Sequence, residues 1–223
     1  MRSFSQGCEH LRELGFNPPV IVDVGVAWGT PDLYAAWQES FLYLVEPVEF
    51  FHSGLERLLE KRAGILVKAA AGEVEGTSRI TVRNSSLGLA GASLTSTRRT
   101  SGPEDEWVDF EFRVDRLDRL VDVAAIPAGG LLKTDCQGFD HAVLLGASGL
   151  LPNIEVLIVE AHIFRYPGFE SNSLPTLISI AEKSGFFLYD LLSPEYRKHD
   201  AALSQVDAVF VRQDSALLRF KGY

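Results

Sequence analysis

A chain of 223 residues, 46% hydrophobic and 23% charged, has the length and composition of one globular core or at most two small ones. Its formal charge of −9, from 21 Lys+Arg against 30 Asp+Glu, argues against a nucleic-acid partner and against a polybasic membrane contact. No stretch approaches the ~20 apolar residues of a membrane span, the N-terminal residues lack the apolar run of a signal peptide, and Cys8 and Cys136 cannot frame a disulfide scaffold. These bounds predict a cytoplasmic protein with no membrane insertion, in which the sequon at Asn84 stays unglycosylated. Oligomeric state is left open.

Residues 1–18 read as an N-terminal helical extension. PVIVDVG (19–25) is a β-branched run ending in glycine, and the spacing predicts a helix over 31–39, with Pro31 in its first turn and Thr30 as its N-cap. FLYLVEP (41–47) reads as a second buried strand. EFFHSGLERLLEKR (49–62) has helical spacing at Phe50, Leu55, Leu58 and Leu59, and ILVKAA (65–70) reads as a third strand. TSRITVR (77–83) and EWVDFEFRV (106–114) alternate like exposed antiparallel strands. Between them, 84–105 is rich in Gly, Ser and Thr and long enough to be a substrate lid or a passive insertion. GLLKTD (130–135) and IEVLIVEAH (154–162) are strands flanking a helix over 140–145. SLPTLISIAEKSG (173–185) is a helix closed by Gly185, and FFLYDLL (186–192) and VDAVFVR (206–212) are the last strands. Apolar strands alternating with helices predict an α/β fold, a parallel sheet covered on both faces, in a single domain over 1–223 with a small antiparallel, irregular insertion around 75–123.

The first strand runs into Asp23-Val24-Gly25-Val26-Ala27-Trp28-Gly29-Thr30. Glycines after a first strand let the backbone approach a ligand, and the next helix offers free N–H groups. The G-x-x-x-G spacing is not the dinucleotide fingerprint G-x-G-x-x-G. Asp23 is poorly placed beside a pyrophosphate and well placed for a ligand carrying ammonium and sulfonium charge. Glu46 ends the second strand, where a carboxylate accepts hydrogen bonds from both hydroxyls of a ribose. The pair reads as S-adenosylmethionine rather than NAD.

These segments together resemble the FkbM-type family of class I methyltransferases. VDVGVAWG is similar to its first motif and LYLVEPVEFF to its ribose-binding segment. VKAAAGEVEGTSRITV, VDRLDRL, IEVLIVEAH and SGFFLYDLL match further stretches in order, and LLKTDCQGFDHAVLLGASGLL resembles the most distinctive motif. The match spans about residues 20 to 212. Departures are Gln137 and Asp140, each where Glu is frequent, and Trp28 where Asn is usual. The resemblance implies a Rossmann-like, seven-stranded, mostly parallel sheet and O-methylation of a hydroxyl on a sugar, lipid or natural product. It also implies a cofactor site built from Asp23, Gly25, Ala27, Trp28, Gly29, Glu46, Pro47, Ala70 and Asp135.

Methyl transfer to a hydroxyl needs the acceptor oxygen held in line and its proton removed. Asp135 ends the fourth core strand, and His162, with its near-neutral titration, ends the fifth; these are the candidate catalytic residues. Lys133 and Glu160 share strand sides with Asp135 and His162 by alternation, and Arg98 and Arg99 lie in the irregular insertion; these four are the substrate candidates. A divalent ion would need Asp135, Glu160 and His162 to converge. No metal is expected, because Gln137 leaves the carboxylate set sparse. Two other readings stay open at this level, a nicotinamide oxidoreductase on the same sheet and a non-catalytic S-adenosylmethionine-binding module.

Overall fold

The computed structural model describes residues 1–83, 107–165 and 170–219. The expected lid over 84–105, the Asn84 sequon, and Arg98 and Arg99 lie outside the described residues.

The chain opens with α1 (Phe4–Glu13), where Ser3 and Gln6 form a reciprocal capping box. The run then continues β1 (Val20–Val24), α2 (Pro31–Ala36), β2 (Phe41–Val45), α3 (Glu49–Leu59) and β3 (Gly64–Val67). The expected third strand over 65–70 divides here. After β3 the chain leaves the main sheet, and β4 (Ala70–Gly72) pairs in parallel with Val114–Arg116. A continuous apolar run carries no mark of which sheet each half will join; the partner strand decides it. Beyond β5 (Gly76–Arg83) and β6 (Trp107–Arg116), which pair antiparallel as their alternation predicts, come α4 (Leu117–Leu120), β7 (Gly130–Thr134), α5 (Asp140–Leu145) and β8 (Ile154–His162). The last elements are α6 (Leu174–Lys183), β9 (Phe186–Tyr196) and β10 (Leu203–Arg212).

Seven strands form one sheet in the order β3-β2-β1-β7-β8-β10-β9, and β4-β6-β5 form a small second sheet. The pairs from β3 across to β8 are parallel; β10 runs antiparallel to both β8 and β9. The order of strands reverses between β1 and β7, which creates the crevice where ligands of open α/β sheets bind.

Alternation divides the sheet's faces. Val20, Val22, Val24, Leu132, Leu157 and Val159 pack with α4, α5 and α6, whereas Ile21, Leu131, Val156 and Ile158 pack with α1, α2 and α3. By the same period of two, Asp23, Lys133, Glu160 and Asp207 fall on the α1–α3 face. The register supports this row: Asp23 sits opposite Lys133, and Asp207 opposite Glu160. A line of ionisable groups thus crosses the carboxyl end of an otherwise apolar layer. Buried charges of this kind persist only when paired or neutralised.

Candidate functional site

The turn after β1 and the turn after β7 meet at the sheet's carboxyl edge. Gly25 has φ +75°, and a Cβ placed on it would lie 2.2 Å from the backbone oxygen of Asp135. Only glycine permits both the left-handed backbone and this approach. Gly25→Ala is therefore expected to destabilise the fold by on the order of 3 kcal/mol and to open the crevice. Urea unfolding monitors it, and an alanine variant of unchanged stability would contradict the contact. Ala27, with φ +46°, also takes a left-handed conformation.

Glu46 follows β2 and is almost fully buried. Its Oε2 accepts the Ala27 N–H and its Oε1 accepts the Val48 N–H, both at 2.8 Å. Burial raises its pKa, and the two amides only partly offset this. His52 donates from Nε2 to the Glu46 carbonyl oxygen at 2.9 Å. Glu46 thereby ties the glycine turn to the start of α3, and each of its oxygens retains a lone pair for a further donor. Trp28 stands half-exposed beside this clamp, edge-on to Phe50 and Phe51.

Across the crevice, the Lys133 ammonium is buried 3.6 Å from Asp23 Oδ1 and 3.5 Å from Asp135 Oδ2. Burial would lower its pKa, but the two carboxylates outweigh this and hold it above the usual lysine value. Burial likewise works against the Asp135 anion, yet Lys133, Glu160 and Gln137 together bring its pKa below the ordinary carboxylate value. Gln137 Nε2 donates to Asp135 Oδ1 at 3.1 Å. Behind this turn, Asp140 accepts from the Cys136 N–H and from Asn172 Nδ2. Burial, then the Asp135 charge, push the Asp140 carboxyl up to about 6.

The cavity between these two turns is lined by Gly25, Ala27, Trp28, Gly29, Glu46, Pro47, Ala70, Lys133 and Asp135, all expected from the sequence. Val26, Val48, Phe51, Ala71, Cys136 and Gln137 also line it, beyond the residues expected from the sequence. Each lies near the glycine turn, Glu46, Ala70 or Asp135 in the chain, and that nearness is the signal that marks them. Three expected site residues are placed elsewhere. Asp23 is fully buried, and its Oδ2 accepts from Thr30 Oγ1 at 2.8 Å and from the Tyr34 hydroxyl at 2.6 Å. It stands behind the wall, drawn under the turn by the Thr30 and Tyr34 hydroxyls, although it shares a face with Lys133, which does line the cavity. Glu160 is buried beneath Asp135 rather than on the wall. His162 is half-buried at the end of β8, off the cavity lining, and burial lowers its pKa, so it is largely neutral at pH 7. Among the described residues, no three His, Cys, Asp or Glu side chains form a metal-holding group.

The donor set distinguishes a dinucleotide from S-adenosylmethionine. The wall offers Glu46 and Asp135 carboxylates, one lysine already held by two carboxylates, and an apolar strip from Val48, Phe51, Ala70 and Ala71. A pyrophosphate would meet these carboxylates with like charge, whereas a ribose, a purine and a cationic sulfonium each find a complementary partner. The residues fit S-adenosylmethionine.

Comparison with solved structures agrees with the fold. A protein from Listeria monocytogenes provisionally described as an S-adenosylmethionine-dependent methyltransferase superposes with a TM-score of 0.54 at 11% identity, covering 94% of this chain and 100% of that one. A provisional tRNA (m1A22) methyltransferase from Streptococcus pneumoniae gives a TM-score of 0.50 at 11% identity, covering 95% of this chain and 71% of the other. At that identity the likeness is one of fold. No curated protein matches the chain in sequence. The profile of the methyltransferase FkbM domain matches residues 23–196, most of the chain, and includes both turns, Glu46, Lys133, Asp135 and β8. The chain belongs to the FkbM methyltransferase family, with S-adenosylmethionine as its cofactor.

Proposed function

We propose that this methyltransferase acts on a hydroxyl of a small sugar, lipid or natural-product acceptor, that 1–223 works as one domain, and that Asp135 is the base. The observation that carries this reading is a carboxylate, held by Lys133 and Gln137, that reaches the wall of the cavity opposite Glu46. The cofactor supplies an electrophilic methyl group on sulfur when bound. Glu46 would hold the ribose hydroxyls, and the Gly25–Gly29 turn with Pro47, Ala70 and Trp28 would surround the rest of the nucleoside. Asp23 acts at one remove, fixing Thr30 and Tyr34 so that the turn keeps its shape.

An aliphatic hydroxyl is a weak nucleophile while it keeps its proton. As its oxygen bonds to carbon, that proton becomes strongly acidic, so a carboxylate of low pKa suffices to take it. Asp135 gains a proton in this step and the hydroxyl loses one. Lys133 remains an ammonium throughout, because Asp23 still pairs with it when Asp135 is neutral. His162 is given no proton-transfer role, since it lies off the cavity wall. The test is transfer of an isotopically labelled methyl from S-adenosylmethionine to a panel of neutral sugars, hydroxylated lipids and polyketide-like alcohols, with the product linkage read by NMR. A labelled ether supports the reading; label found only on nitrogen or on carboxylate oxygen contradicts it.

A further inference from the structure

Glu160 is buried deep in the sheet among groups that should repel its charge. Asp135 faces it from the turn after β7, Asp140 from α5 and Asp207 from β10. Lys133 and Cys136 stand on the β7 side, but the lysine's carboxylate contacts are to Asp23 and Asp135. Among the described residues the one side-chain donor to it is Gln137, whose Nε2 lies 3.5 Å from Glu160 Oε2 and 3.1 Å from Asp135 Oδ1, so one amide spans both carboxyls. Gln137 reaches this position from a left-handed backbone, φ +50°. The other oxygen, Oε1, is buried, and among the described residues no group donates to it. A charged oxygen there would have lost its water without replacement. A proton on it removes the charge and converts it into a donor.

We propose that Glu160 is a neutral carboxylic acid in the working protein and that it and Gln137 together hold Asp135 ionised and oriented toward the cavity, making Glu160 a positioning residue for the base. Burial comes first in raising Glu160, followed by the Asp135 and Asp140 charges, to about 10. The proton shared with Glu160 is in turn one of the causes that keep Asp135 low. Neither Gln137 nor Glu160 touches the acceptor's reacting atoms. They act by making the weak, fixed base described above. The catalytic meaning of this arrangement rests on Asp135 being the base, but the location of the proton is read in the ligand-free protein and stands or falls separately.

The experiment is ¹³C NMR titration of protein labelled at the Asp and Glu carboxyl carbons. Loss of a signal in Glu160→Gln identifies Glu160, and Asp135→Asn identifies Asp135. The Glu160 carbon is expected at the neutral-acid position at neutral pH and to move only as pH approaches about 10, while Asp135 stays ionised down to low pH. Two variants then give opposite signs for the two protonation states. If Glu160 is a neutral donor, Glu160→Leu raises the Asp135 midpoint by removing a donor to its anion, and Glu160→Gln, which keeps a donor, leaves it nearly unmoved. If Glu160 is ionised, both variants lower the Asp135 midpoint by removing a like charge, and the proposal fails. Melting temperatures provide a check that needs no assignment. A carboxyl whose folded pKa lies above its unfolded value of 4.5 penalises the fold increasingly as pH rises between the two. Glu160→Gln should therefore melt above wild type at about pH 8 and level with it at about pH 4. A lower melting point than wild type at the higher pH overturns the proposal, whether or not any acceptor has been found.

Discussion

Asp135→Asn is expected to lower the methyl-transfer rate by ~10²- to 10⁴-fold, the range that a positioned general base contributes. The substitution keeps the shape of the side chain and its hydrogen bond from Gln137, reversing that amide at most, and removes only the charge and the proton-accepting oxygen. Lys133 keeps Asp23 as a partner 3.6 Å away, so the buried ammonium is not orphaned and the fold should survive. Affinity for S-adenosylhomocysteine, which lacks the sulfonium charge, should change far less than the rate. Single-turnover rates with the best acceptor from the panel, set beside calorimetry with S-adenosylhomocysteine, separate the two effects. A rate within a few-fold of wild type would remove Asp135 from the chemistry. The pH profile adds a sign. Because Lys133, Glu160 and Gln137 hold the Asp135 pKa below the ordinary carboxylate value, its basic form persists throughout the neutral range and is lost only in more acidic solution than an ordinary carboxylate requires. The rate should accordingly show no ionisation between about pH 5 and 8 from this group, whereas a histidine base at His162 would produce one there.

Glu46→Ala should reduce affinity for the cofactor roughly 10- to 100-fold, through loss of the acceptor for the ribose hydroxyls. The same substitution also weakens the fold. Both Glu46 oxygens already hold backbone amides, those of Ala27 and Val48. Truncation leaves two donors in a buried region without partners, each costing about 1–3 kcal/mol. Removing a buried carboxylate from near Asp23 returns a part of that cost, since burial and Asp23 both work against its charge. Net destabilisation of ~2–4 kcal/mol is expected by urea unfolding. Glu46→Gln, with one acceptor oxygen left, should fall between the two proteins in both measurements. Full stability in the alanine variant would show that the turn does not depend on the clamp; unchanged affinity would show that Glu46 is not at the ribose.

The amino-acid pattern by itself determined the main sheet and its helices. Runs rich in β-branched and aliphatic residues, such as Val20–Val24 and Ile154–His162, can satisfy their burial only inside a covered parallel sheet, and strand ends are marked by the glycines and acids that follow them. It also determined most of the cavity wall, because Gly25, Glu46 and Asp135 each follow the last residue of a strand, and the carboxyl ends of neighbouring parallel strands lie together in this fold. Tertiary structure decided what alternation leaves undetermined. The Thr30 and Tyr34 hydroxyls hold Asp23 beneath the wall, off the cavity lining that its face-mate Lys133 reaches, and the small sheet takes Ala70–Gly72 away from β3. Parity places Glu160 on the same face as Lys133, a relation between two strands that neither strand's own alternation gives. That Gln137 would join Glu160 to Asp135, while His162 on the same strand side falls outside the cavity, depends on a left-handed turn and on distances between strands far apart in sequence. Protonation is decided last of all, since whether a carboxyl carries charge depends on the summed burial and charge of neighbours that only the folded chain assembles.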